Sequence, residues 1–167
     1  MRNYRGFSIY ELLIAIAVFA ILAAIAVPSY KTFIQNYRLT ATAENLYSVI
    51  QAARSEAVKR NATVFVSFNT TDPWCYGVNV GSACTCTTAS TCNLGVHSAT
   101  ASGLTTLSTT GLSGTAISFE GTRGAASSSA TITYTTTGGT NAMSLKIGLL
   151  GNSQLCSAQI TRYPVCS

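Results

Sequence analysis

Residues 6–27 read GFSIYELLIAIAVFAILAAIAV, with a single carboxylate, Glu11, at the edge of an otherwise apolar run. A charge at membrane depth is costly and is usually functional. As a helix, residues 12–27 span about 24 Å, and the five residues before them extend this to about the 30 Å of a hydrocarbon core. The sequence therefore predicts one transmembrane helix over about residues 7–28.

The residues ahead of the apolar run indicate its orientation and its fate. Residues 1–6 carry Arg2 and Arg5, and positive residues stay on the cytoplasmic side of a membrane, so we expect the rest of the chain to be exported. A secretory signal peptide has its cleavage site after the apolar core, whereas the only suitable cut here precedes it. The apolar helix would then be retained. The alternative is an ordinary anchor in which Glu11 merely lies at the headgroup level.

The segment Gly6-Phe7-Ser8-Ile9-Tyr10-Glu11 resembles the class III signal of type IV pilins and type II secretion pseudopilins. The resemblance implies that a prepilin peptidase cuts after Gly6 and methylates the new N-terminal amine, on Phe7. It also implies that Glu11 meets the N-terminal ammonium of a neighbouring subunit in the filament, where the opposite charge offsets part of the desolvation of each group. On this basis residues 1–6 are a leader peptide, and Glu11 sets the register of assembly.

The residues after the apolar run predict a continuation of the helix with a different surface. Pro28 is expected to bend or locally melt the helix over residues 24–28. Beyond it, apolar residues recur at steps of three and four, which is typical of a helix with one buried stripe. They are Leu39, Ala43, Leu46, Val49, Ile50, Ala53 and Ala57. We predict one long helix over residues 7–60, with Asn61 as its stop signal.

After Asn61 the composition changes to Thr, Ser, Gly and β-branched residues with few charges. Alternation at period two predicts strands at residues 63–68, 74–80, 115–120 and 130–135, and a terminal hairpin from residues 143–150 and 154–162. The Ser- and Thr-rich residues 98–115 are expected to form a mobile loop. Strands that follow one helix predict an α+β fold, with the helix across an antiparallel sheet of a head at residues 61–167. The resemblance of the leader to pilins implies that this is the type IV pilin fold.

All the cysteines lie after the apolar helix, at Cys75, Cys84, Cys86, Cys92, Cys156 and Cys166. An even number in the exported part predicts disulfides formed in an oxidising compartment. Cys84 and Cys86 would point to one side of a strand and rarely join each other, so each is expected to pair with Cys75 or Cys92.

A bond between Cys156 and Cys166 would close the terminal hairpin, and the resemblance to pilins, which often carry a C-terminal disulfide loop, implies that pairing. No metal site is expected, because Cys84-Thr85-Cys86 lacks the gap of a zinc knuckle and His97 is the only histidine.

The head resembles the minor subunits grouped as the GspH/FimT/FimU family in three features. They are residues 46–61 followed by a strand, the element Trp74-x-x-Gly77, and the turn Phe119-x-x-x-Arg123-Gly124. The resemblance implies a minor pilin, a structural subunit that helps to initiate or cap pilus assembly at the filament tip. Its partners would be other pilin subunits, the prepilin peptidase and an inner-membrane assembly platform. It would cross the inner membrane once with its head in the periplasm, then move to the pilus at the cell surface.

The sequence leaves some other classes of function open and argues against others. A type II secretion pseudopilin and a major pilin stay open, because the leader and helix serve every subunit class. Some FimT members bind DNA in natural transformation through a C-terminal Gly-Arg-x-Arg element, but this chain offers only Thr161-Arg162-Tyr163-Pro164 there. An enzyme is not expected, since the chain has one histidine and no Gly-x-Ser-x-Gly turn, and no cofactor is expected.

The charge balance bears on the DNA alternative. Removal of Arg2 and Arg5 with the leader would lower the formal charge from +5 to +3. The helix cations, expected to face filament neighbours, are Lys31, Arg38, Arg54, Lys59 and Arg60. On the sheet part, Arg123, Lys146 and Arg162 are the candidate DNA contacts. Three scattered cations predict only weak and strongly salt-dependent binding.

Overall fold

The structure is a computed structural model that describes residues 8–99, 105–138 and 141–166. Helix α1 spans Ile9–Arg60, and the strands that follow in the described residues are β1 (Val64–Asn69), β2 (Cys75–Val80), β3 (Gly95–Ser98), β4 (Thr105–Thr110), β5 (Ala116–Phe119), β6 (Ala130–Thr136), β7 (Ala142–Ile147) and β8 (Ser153–Cys156). The chain divides into two compact units, Met1–Tyr37 and Arg38–Ser167.

The first unit holds the apolar part of α1. Its large apolar side chains are exposed in the single chain, with Phe19 at 74% and Ile25 at 71%. By length and composition alone, the helix could cross a membrane. Residues 24–28 are helical, so the described residues show no local melting there. The expectation of melting was wrong because proline removes only one backbone hydrogen bond, which the flanking turns tolerate. The bend stays a prediction.

In the second unit, the last part of α1 packs on the head through one stripe, as its periodicity predicts. The fully or almost fully buried members are Leu39, Ala43, Leu46, Ile50, Ala53 and Ala57, and Val49 is partly buried. The helix ends at Arg60, and the next residue, Asn61, has a left-handed φ of 48°. Ala62 N–H bonds to Ala57 O at 3.1 Å and Asn61 N–H to Val58 O at 3.2 Å, the pair of bonds of a Schellman cap.

The strands form two four-stranded antiparallel sheets, in the orders β3-β2-β1-β5 and β4-β6-β7-β8. Their inward residues and the stripe of α1 form one core. Trp74 joins the sheets, because its indole N–H donates to Thr105 O at 2.9 Å and its ring lies 5.1 Å from that of Tyr134. An α+β fold with the helix packed on antiparallel strands is therefore confirmed.

Three details of the expected head were wrong. The strands make two sheets instead of one, and the Ser- and Thr-rich segment expected as a loop contains β4, paired with β6 along its whole length. Thr suits a strand once a neighbour supplies its cross-strand partners. Residues 157–162 form no strand, because Ser157 N–H bonds to Pro164 O and its hydroxyl accepts the N–H groups of Gln159 and Ile160, which turns the chain back.

Candidate assembly site and head contacts

The predicted assembly residues lie at the start of α1. Gly6 and Phe7, the expected cleavage and methylation residues, lie outside the described residues. Glu11 lies in the first turn of the helix, where the unpaired backbone N–H groups and the helix dipole favour a negative charge. Its neighbours Tyr10 and Leu12 are 73% and 57% exposed. The apolar side chains on either side of the carboxylate are therefore exposed.

Four polar residues of α1 fix the helix to the head, beside its buried stripe. Tyr76 OH donates to Asn45 Oδ1 at 2.9 Å, and Gln51 Nε2 donates to Ser153 Oγ at 2.6 Å. Tyr163 OH donates to Glu44. These bonds join the helix to β2, to β8 and to the C-terminal loop. Burial is the largest cause that raises the pKa of the Tyr163 hydroxyl, and the hydrogen bond to Glu44 raises it further. Burial also raises the pKa of the Tyr76 hydroxyl.

The fourth residue, Arg54, ties the helix to two turns of the head. Its Nε donates to Gly124 O and its Nη2 to Leu150 O, each at 3.1 Å. Gly124 has a φ of 65°, and a Cβ on it would lie 2.9 Å from Arg54 Cγ. A Cβ on Gly151 would lie 2.2 Å from Gly124 O, so both glycines are needed for this close approach. Arg54 was expected to face filament neighbours, and that expectation was wrong because its guanidinium bonds within its own chain.

The head contains disulfides, as the cysteine count predicts. The structure joins Cys75 to Cys86, Cys84 to Cys92 and Cys156 to Cys166, and all six cysteines are paired. Each of Cys84 and Cys86 therefore takes a partner from Cys75 and Cys92, although the expected strand at residues 84–86 is a loop.

The first two disulfides lie against β2. A Cβ on Gly77 would lie 2.3 Å from Cys92 Sγ and 3.1 Å from Cys84 Sγ. The glycine of the Trp74-x-x-Gly77 element thus leaves room for a disulfide over the strand. Sequence reasoning had noted this glycine only as part of a family motif.

The candidate DNA contacts lie on three different segments. Arg123, in the turn after β5, is 86% exposed, and its Nε lies 3.7 Å from Glu120 Oε1. Lys146 is on β7, where it pairs in register with Thr131 and Gln154 and helps to line an open cavity of about 400 Å³. Arg162 is exposed in the C-terminal loop. In the described part of the chain, no group of three or more His, Cys, Asp or Glu side chains could hold a metal ion.

Comparisons with known proteins agree with this geometry. Residues 1–27 match the prokaryotic N-terminal methylation motif, and residues 42–151 match the family described as type II transport protein GspH. The crystal structure of the type IV minor pilin FimU from Pseudomonas aeruginosa is similar in fold, with a TM-score of 0.58 and 21% identity over 76% of this chain and 97% of that chain. No curated protein matches the chain.

The methylation motif, the apolar helix and the fold define a subunit of the type IV pilin and pseudopilin class. Within that class, the chain belongs to the GspH family, whose model covers about two thirds of it. The resemblance inferred from the leader and from the head motifs is thereby confirmed.

Proposed function

We propose that the chain is a minor type IV pilin, a structural subunit that helps to initiate or cap assembly at the filament tip. The supporting observation is the surface of the first unit. Its large apolar side chains are exposed on every side, and a helix of this kind is stable only in lipid or against other helices. The methylation motif at residues 1–27 supports the second environment, since the resemblance to pilins implies that this helix packs against other subunits in a filament.

The proposed mechanism is mechanical. α1 holds the subunit in the inner membrane, with the head in the periplasm, after the prepilin peptidase has cut between Gly6 and Phe7. The assembly platform then lifts the subunit, and burial against neighbouring helices replaces lipid contact. Glu11 sets the axial position by meeting a neighbour's methylated N-terminal ammonium, since a paired charge loses less on leaving water than a lone one. Pro28 provides the point at which the helix bends.

The sequence alternatives are separated by abundance and by location. A minor subunit is expected as a small fraction of sheared filaments, which quantitative mass spectrometry measures. A dominant fraction would make the chain a major pilin, and absence from surface pili together with a secretion defect would make it a type II secretion pseudopilin. DNA binding through Arg123, Lys146 and Arg162, which lie on three different segments, stays a prediction of the sequence.

Replacement of Glu11 by Ala tests the assembly role. We expect the leader to be cleaved and the head to fold, while the amount of the subunit in filaments falls by about tenfold or more, since an ammonium would be left unpaired in an apolar environment. Asp72→Ala, which removes an exposed carboxylate between β1 and β2, is the control and is expected to assemble normally. Normal assembly of Glu11→Ala would show that the carboxylate does not set the register.

A further inference from the structure

The turn between β7 and β8 carries two exposed leucines. Gly151 N–H donates to Gly148 O at 2.8 Å, so Leu149 and Leu150 occupy the two central positions of the turn. They are 59% and 78% exposed. Central turn positions are usually held by Gly, Pro, Asn, Asp or Ser, each for a conformational reason that leucine does not share. Folding of the head therefore gives no reason for two large apolar side chains at this place.

A third exposed apolar side chain lies beside the same turn. Val58 of α1 is 47% exposed, and a Cβ on Gly124 would lie 3.2 Å from Val58 Cγ2. Gly124 in turn approaches Gly151, next to Leu150. We call Val58, Leu149 and Leu150 the leucine patch. Of the large apolar side chains that are exposed in the described residues of Arg38–Ser167, only Val165 lies outside the patch.

The leucine patch is held rigidly. Arg54 bonds to Leu150 O and to Gly124 O, and Ala126 N–H bonds to Leu149 O at 2.9 Å. The backbone of both leucines is thus fixed to the helix and to the β5–β6 connection. A fixed apolar surface loses little conformational freedom when it binds, which is the condition under which a small contact contributes most affinity.

Two guanidinium groups lie close to the leucine patch. The guanidinium of Arg54 lies under the turn, and that of Arg123, 86% exposed, lies in the adjacent turn. The nearby carboxylate of Glu120 offsets one of these charges. Charge complementarity favours a partner surface with carboxylates around an apolar groove.

The size of the leucine patch indicates where such a partner must be. Three partly exposed aliphatic side chains offer apolar area on the order of 300 Å². A stable pair of free proteins needs about 800 Å² from each partner. The patch is therefore too small to hold a second free copy or a soluble partner, and it can contribute only where another contact already brings the two chains together. In a filament subunit, the apolar half of α1 provides that contact.

We propose that the leucine patch docks into an apolar groove, bordered by carboxylates, on the head of a neighbouring pilin-family subunit in the same filament. The inference rests on the proposed function, since it requires that the helix places this head beside another one. Leu149 and Leu150 enter the groove, and Arg123 faces its acidic border. The patch thereby selects which subunit stands next to this one, while the helix supplies most of the affinity.

The test uses the tagged full-length chain in its own cells and compares Leu149→Ser/Leu150→Ser with the wild type. We expect the fraction of the membrane pool that enters sheared filaments to fall by about tenfold, since two leucines would lose their burial against the neighbour. Val165→Ser removes an apolar side chain that is 73% exposed elsewhere, and we expect it to enter filaments normally. Equal membrane levels and the absence of free thiols show that each variant is folded.

The proposed contact between Arg123 and the acidic border of the groove is tested separately. Arg123→Glu is expected to lower incorporation, whereas Arg123→Lys, which keeps the charge, is expected to retain most of it. If Leu149→Ser/Leu150→Ser fails to fold, the two Arg123 variants still test whether the leucine patch docks on a neighbouring subunit. A photoreactive phenylalanine analogue at position 150 should crosslink to a pilin-family subunit within intact filaments.

The outcomes separate the two proposals. Normal incorporation of both Leu149→Ser/Leu150→Ser and Arg123→Glu would overturn the docking surface and leave the pilin role intact. Crosslinks from position 150 to lipid alone, in filaments that contain the chain, would also overturn it. Absence of the wild-type chain from every filament fraction would instead contradict the proposed function.

Discussion

Tyr134 is the largest side chain that is fully buried in the second unit, and its hydroxyl has no hydrogen-bond partner among the described residues. Burial, and then the neighbouring Tyr76, raises the pKa of this hydroxyl. The hydroxyl of Tyr76, by contrast, has a hydrogen-bond partner, because it donates to Asn45 of α1. The sequence shows both tyrosines as inward residues of strands, and only the packed structure tells a satisfied hydroxyl from an unsatisfied one.

The two tyrosines give a matched pair of substitutions. Tyr134→Phe is expected to raise the free energy of unfolding by about 1 kcal/mol, since it removes a buried polar group without a partner. Tyr76→Phe is expected to lower it by about the same amount, because Asn45 loses its donor. Urea unfolding of residues 38–167, followed by the fluorescence of the buried Trp74, measures both. A loss of stability in Tyr134→Phe would show that the hydroxyl has a partner.

At the scale of elements, the C-terminal loop is held by covalent and non-covalent contacts. The disulfide between Cys156 and Cys166 joins two residues that are ten positions apart in the sequence, and it thereby closes the loop. Within it, Ser157 N–H bonds to Pro164 O, and Tyr163 reaches α1 through Glu44. The closure of a terminal hairpin and the resemblance to pilins had implied this pairing. The turn of the chain at Ser157, which replaces the expected strand, could not be foreseen because it depends on the side-chain oxygen of a single serine.

Removal of this disulfide tests how much the loop stabilises the head. Cys156→Ala/Cys166→Ala is expected to lower the free energy of unfolding by about 3 kcal/mol, the entropy that closure of such a loop removes from the unfolded chain. Cys84→Ala/Cys92→Ala opens a loop of similar size, with a separation of eight residues, and is the comparison. Equal stability of the Cys156/Cys166 variant and the wild type would mean that the non-covalent contacts alone fix the loop.

At the scale of the whole molecule, three tyrosines of the second unit respond to pH in the same direction. The pKa of Tyr76, of Tyr134 and of Tyr163 is raised in each case, with burial as the largest cause. The folded chain therefore holds these protons more tightly than the unfolded chain does. The stability that they contribute is fully present below the ordinary tyrosine pKa of about 10 and is lost as the pH rises above it.

Alkaline unfolding is the measurement that follows. The urea midpoint of residues 38–167 should fall between about pH 9 and about pH 11, and it should fall less steeply in Tyr134→Phe, which lacks one of the three hydroxyls. The urea midpoint of Tyr134→Phe at neutral pH, where no tyrosine titrates, gives the change in stability that is due to packing alone. The further change at alkaline pH is then due to titration. An identical slope in the two proteins would mean that Tyr134 does not titrate with unfolding.

The sequence by itself determined the features that depend on neighbours along the chain. The apolar run, the buried stripe of α1, the left-handed end at Asn61 and the strands β1, β2, β5, β6 and β7 follow from local periodicity, from residue type and from the cost of burying charge. The methylation motif also follows from the sequence, because its signal at residues 1–27 is contiguous.

Only the tertiary structure decided what depends on residues far apart in sequence. It showed that the strands divide into two sheets, that Thr105–Thr110 finds a partner in β6, and that Arg54 bonds to two turns of its own head. It also brought Gly124 close both to Val58 of α1 and to Gly151, the residue after Leu150. Residues of the same type are buried, paired or exposed according to which distant segment reaches them, and that is settled by packing of the whole chain.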